Sequence, residues 1–147
     1  MKRLIAMRLL LVATALALAG CQATISPFSP KAYEQATSLK VEALALMDKA
    51  TRPYAEHQAE AEALRVNIEK AYEYAKGRPR NEVSVKQWEI LRSPERNLLG
   101  GFLKRWETRG PQSPAFITET KGLVADAFDL IIGLESGKQK ADSVPTN

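Results

Sequence analysis

The sequence predicts an all-α fold, a small helical bundle with a long first helix. The stripe from Ala32 to Ala75 recurs at alternating steps of three and four with one irregular step between Ala50 and Tyr54, the spacing that lines one face of a helix. Ser-Pro pairs stand at 29–30, 93–94 and 113–114. In such a pair the serine can accept from an unpaired first-turn amide, and proline suits the first helical position because no donor is needed there. No stretch shows the apolar-polar alternation between hairpin turns that a strand would need.

Taken in order, the chain opens with Lys2, Arg3 and Arg8, followed by a run from Leu9 to Ala19 that is apolar except for Thr14. This is the charged head and short apolar body of a secretory signal. The run falls well short of the roughly 20 residues that a helix needs to span a bilayer.

Leu18-Ala19-Gly20-Cys21 resembles the lipobox of bacterial lipoproteins, in which small residues precede an acylated cysteine. The resemblance implies cleavage between Gly20 and Cys21, a diacylglyceryl thioether on Cys21 and an acyl group on its amine. It covers the signal alone and assigns the rest of the chain to no family. An ordinary secretory signal is the competing reading, because Ala17-Leu18-Ala19 has the A-x-A form. Acylation accounts for the chain's one cysteine, which has no internal disulfide partner. Gln22 and Ala23, where an inner-membrane lipoprotein of the enterobacterial type carries Asp, imply the outer membrane, with the periplasmic leaflet as the default and surface display left open.

The expected organisation is a removed signal over 1–20, a lipidated cysteine and tether over 21–29, a helical domain over 30–137 and a disordered tail over 138–147. Removing 20 of the 147 residues leaves 127, enough for one domain. It also removes Lys2, Arg3 and Arg8, so the formal charge falls from +4 to +1 and gives no support to nucleic-acid binding. Residues 22–28 lack periodicity and contain Pro27, as a tether would.

Ser29-Pro30 opens the first helix, whose stripe is Ala32, Ala36, Leu39, Ala43, Leu46 and Ala50, widened by Tyr33, Val41, Leu44 and Met47. Beyond Pro53 the stripe continues in phase through Tyr54, His57, Ala61, Leu64, Ile68, Ala71 and Ala75. Two structures fit: a hairpin turning at Thr51-Arg52-Pro53, or one helix over 30–76 kinked where proline removes a backbone bond. Unbroken phase leans toward the kinked helix. Gly77 and Pro79 then end the segment.

Asn81 or Ser84 can cap a short helix through Val85, Trp88 and Leu91. Ser93-Pro94 is expected to start another, carrying Leu98, Leu99, Phe102, Leu103 and Trp106 and interrupted by Gly100-Gly101. The glycine pair costs helix stability and needs a reason, either close packing or a simple break, or a hinge. Gly110-Pro111 closes this segment. The last helix runs from Pro114 to about Ser136 and is expected to bury Phe116, Thr120, Leu123, Val124, Ala127, Phe128, Ile131 and Leu134.

Residues 76–109 hold nine Lys and Arg against four Glu, a local charge of +5. Arg78, Arg80, Lys86, Lys104 and Arg105 are therefore candidate contacts to an anionic surface, against the plainer reading of a solvated face paired with acidic neighbours. Trp88 and Trp106 read first as core anchors and second as interface aromatics. His57 is the chain's one histidine, and His57-x-x-Glu60 reverses and halves the repeated Glu-x-x-His of di-iron bundles. Its place on the apolar stripe suits a hydrogen-bonded core or boundary histidine. No metal site, cofactor or catalytic residue is expected.

The functional expectation is a non-enzymatic, lipid-anchored module of the cell envelope, held to the membrane through Cys21 and engaging an envelope protein partner. The alternative is a small-ligand or lipid-binding module, with its pocket between the Trp88–Trp106 segment and the last helix, opening at Gly100-Gly101.

Overall fold

The computed structural model describes residues 26–137, 139 and 143–145. Among them are five α-helices and no strand: α1 Pro30–Asp48, α2 Gln58–Lys76, α3 Glu82–Arg92, α4 Leu99–Arg109 and α5 Pro114–Glu135. α1 packs on α2 and α5, and α3 packs on α2 and α5. α3 and α4 together form the third leg of a small bundle, broken between residues 92 and 99. No helix among the described residues is long and apolar enough to cross a membrane.

α1 and α2 form an antiparallel hairpin. The Ser29 hydroxyl lies 3.1 Å from that of Tyr74 at one end, and Lys49 pairs with Glu60 at the other. This settles the choice over 30–76 against the kinked helix. α1 tightens into a 3-10 turn at Lys49–Thr51, Arg52 and Pro53 are extended, and a second 3-10 turn at Tyr54–Glu56 leads to α2. Proline's ring crowds the residue before it, which keeps Arg52 out of the helical region. The phase of the stripe carried no information about direction, because both helices turn an apolar face to a shared core. Every stripe position from Ala32 to Ala50 and from Tyr54 to Ala75 is buried except His57, which is half-buried. Of the widening positions, Met47 is buried, whereas Tyr33 and Val41 are exposed.

Two of the three Ser-Pro pairs cap helices. Ser29 Oγ accepts from the Ala32 amide at 3.2 Å, and Ser113 Oγ from that of Phe116 at 3.3 Å. Ser93 instead closes α3, and its Oγ accepts from the Glu95 amide at 3.3 Å. The expected helix at Pro94 therefore begins at Leu99, and Gly100 and Gly101 occupy its first turn rather than its interior. A Cβ on Gly100 would strike the carbonyls of Arg92 and Ser93, and one on Gly101 that of Arg96. Close backbone approach is thus the reason for the glycine pair.

α5 buries Ile117, Thr120, Val124, Phe128, Ile131 and Leu134, but Leu123, expected inside, is 49% exposed. Trp88 and Trp106 are both core residues, Trp88 meeting Phe128 edge to face at 6.0 Å. The described part of the tail, expected to be disordered, lies on the bundle. The Gln139 amide donates to the Gly133 carbonyl, Val144 is buried, and Gln87 Nε2 donates to the Pro145 carbonyl at 2.9 Å.

Candidate functional site

The two ends of the bundle differ in chemistry. At the end where α1 begins, the chain entering the fold is pinned rather than free. Ser26 Oγ donates to the Pro79 carbonyl, the Ser26 amide to Asn81 Oδ1 at 3.5 Å, and Arg78 to the Pro27 carbonyl. Asn81 stands at the N-cap of α3 without capping it, because its Nδ2 donates to the Ala75 carbonyl at 2.9 Å. Expected as a tether, residues 26 and 27 are therefore part of the fold. Beside them, Phe28 is 60% exposed and contacts Tyr33, with ring centroids 6.3 Å apart.

Arg78, expected to face an anionic surface, pairs with Glu135, whose side chain is 1% exposed. A carboxylate so buried needs its counter-charge, so Arg78 is committed inside the protein. Arg80 is the basic residue this loop presents outward, exposed, left-handed at φ 54° and without a side-chain partner among the described residues. Lys86 lies on α3, 3.4 Å from Glu89. Lys104 and Arg105 are on α4, in the other half of the molecule. The five cations thus do not form one stripe. Cys21 lies outside the described residues.

In that other half, a cleft of about 470 Å³ opens between α4 and α5. Its apolar side is Phe102, stacked on Phe116 at 6.0 Å and 7°, with the exposed Leu123. Gly101 lines this cleft, whereas Gly100 faces the second groove described below, so the glycine pair does not open onto one pocket. Its rim carries Arg96, Lys104, Arg105 and Arg109 against Glu95 and Glu119. Lys104 pairs with Glu95 at 2.7 Å. Arg105 lies over the Phe116 ring, 4.5 Å from its centroid, while its Nε donates to Gln112 Oε1 at 2.8 Å. Gln112 is buried and held in turn by the Gly110 and Ala50 carbonyls. No periodicity signals this arrangement, because Arg105 and Phe116 sit on different helices joined by a turn.

A second groove, about 380 Å³, lies across α4 on a floor of Ile68, Leu99 and Leu103. Its cations are spent internally: Arg65 on Glu107 at 2.9 Å, Arg92 on Glu69 at 2.7 Å and Lys104 on Glu95.

His57 is a boundary residue, its Nδ1 3.2 Å from Glu60 Oε1 and its ring against Trp106 at 5.9 Å. Hydrogen bonding from Lys49, and then from His57, holds the Glu60 carboxyl below the usual carboxylate range. Burial raises the Tyr54 hydroxyl above its ordinary value. Among the described residues no three metal-ligating side chains converge. Comparison with known protein families, curated proteins and solved structures finds no match to this chain.

Proposed function

We propose that the chain is a lipoprotein anchored through Cys21 to the outer membrane, facing the periplasm, whose helical bundle is a non-catalytic interaction or structural module. The observation that carries this reading is the pinning of Ser26 and Pro27 onto the loop at residues 78–81. From Cys21 to Ser26 the chain reaches at most about 17 Å. A lipid on Cys21 would hold that end of the bundle at the membrane, with Phe28 and Arg80 toward the lipid and the α4–α5 half directed away, toward an envelope partner.

The test is metabolic labelling with an alkyne-bearing fatty acid, followed by membrane fractionation. Wild-type protein is expected to carry the label in the outer-membrane fraction, and Cys21→Ser to lose both label and membrane association. Unlabelled wild-type protein in the soluble fraction overturns the reading.

A second reading, a small-ligand or lipid-binding module, is favoured by the α4–α5 cleft. Its volume falls within the range of small-molecule sites, roughly 300–1,000 Å³.

A further inference from the structure

The α4–α5 cleft combines exposed apolar surface at Leu123 with uncommitted cations, whereas the cations of the second groove are all paired. Leu123 interrupts the buried pattern of α5 by facing outward, next to the stacked pair Phe102 and Phe116. Arg96 and Arg109 have no carboxylate partner among the described residues. Arg105 is held in place on one side only: Phe116 supports the guanidinium plane and Gln112 takes its Nε hydrogen. Both terminal nitrogens remain without partners among the described residues. A planar guanidinium fixed in this way presents a fork that matches the two oxygens of a carboxylate or phosphate. Because its orientation is already fixed, less entropy is lost when an oxyanion binds. Glu119 lies on the same rim and opposes an anion, yet the lining carries four cations against two carboxylates.

We propose that this cleft binds a small anionic amphiphile, with an oxyanion head on the Arg105 fork and a short alkyl body along Phe116 and Leu123, where Phe102 backs the wall from within the core. This rests on the reading of the cleft as a ligand site and adds the ligand's chemical class. Carboxylate and phosphate heads share the recognition chemistry and are separated by experiment.

The test uses the whole chain from residue 21, with Cys21→Ser so that no acyl group competes. Octanoate, octyl phosphate, octanol and inorganic phosphate are titrated while amide NMR shifts and calorimetric affinity are followed. Octanoate, octyl phosphate or both should shift resonances in 96–109 and 116–123, and whichever binds more tightly names the head. Octanol and inorganic phosphate should bind at least tenfold more weakly. Arg105→Gln should weaken the preferred anion at least tenfold and leave octanol unchanged. Arg105→Lys, which keeps the charge but loses the fork, should weaken it several-fold. Arg80→Gln, at the other end, should change nothing. Octanol binding as tightly as the anions, or an Arg105→Gln protein binding normally, overturns the anionic class while leaving a ligand site. Absence of shifts with all four probes at millimolar concentration overturns the ligand site itself.

Discussion

The indole N–H of Trp106 donates to the carbonyl of Arg52 at 2.8 Å, tying α4 to the point where the α1–α2 hairpin reverses. Arg52 is extended and followed by proline, so its carbonyl lies outside any helical ladder and needs a partner from elsewhere. Trp106 is fully buried and meets Tyr54 edge to face at 5.3 Å. Trp106→Phe keeps most of the apolar contact and removes the donor, so it should cost about 1–3 kcal/mol. Trp106→Ala should cost about 3–5 kcal/mol through the cavity it leaves. Urea unfolding midpoints at neutral pH measure both, and equal losses would show that the hydrogen bond contributes nothing.

Arg78 and Glu135 form the corresponding tie at the opposite end, between the loop after α2 and the end of α5. Glu135 Oε1 has no hydrogen-bond partner among the described residues, so the carboxylate depends heavily on Arg78. Arg78→Met should cost about 3–5 kcal/mol by stranding a buried charge. Adding Glu135→Leu to it should recover most of that loss. A double-mutant cycle by denaturant unfolding checks this, and additive losses would mean the two side chains act independently.

How much of this was legible follows from the range of each interaction. The stripes of α1 and α2 could be read residue by residue, because periodicity is local and burial follows it. The reversal at Pro53 could not be read from phase, although the restriction that proline places on Arg52 was a usable signal. Ser93-Pro94 looked like Ser29-Pro30, but only in the structure does Ser93 prove to close α3. The pinning of Ser26 by Asn81 and the seating of Arg105 on Phe116 join residues with no shared periodicity. Polar side chains in loops give no pattern from which such contacts could be inferred.

The glycines of α4 and α5 offer a contrast that tests the account of the broken third leg. Gly101→Ala places a methyl group against the Arg96 carbonyl, a backbone atom that cannot move aside cheaply, and should destabilise by about 2 kcal/mol. Gly122 lies within α5, is exposed, and has nothing within 4 Å of an added Cβ. Gly122→Ala should stabilise by about 0.5–1 kcal/mol through the lower entropy of the unfolded chain. Thermal unfolding followed by circular dichroism distinguishes them, and a neutral Gly101→Ala would remove close approach as the reason for the pair.

Glu60 gives the fold a dependence on acid whose sign is fixed by its partners. Its carboxyl is lowered first by the hydrogen bond from Lys49 and then by that from His57. The folded state therefore binds this proton less readily than the unfolded chain. The stabilisation is complete above the ordinary glutamate value, about 4.3, and is lost as pH falls through that value to the lowered one. Glu60→Gln should be less stable than wild type at pH 7, and the gap should close as pH falls below about 4.3. Because the pair is exposed, 0.5 M salt should narrow the gap at pH 7. Urea midpoints of both proteins across falling pH provide the measurement, and a gap unchanged with pH would assign the effect of Glu60 to packing rather than charge.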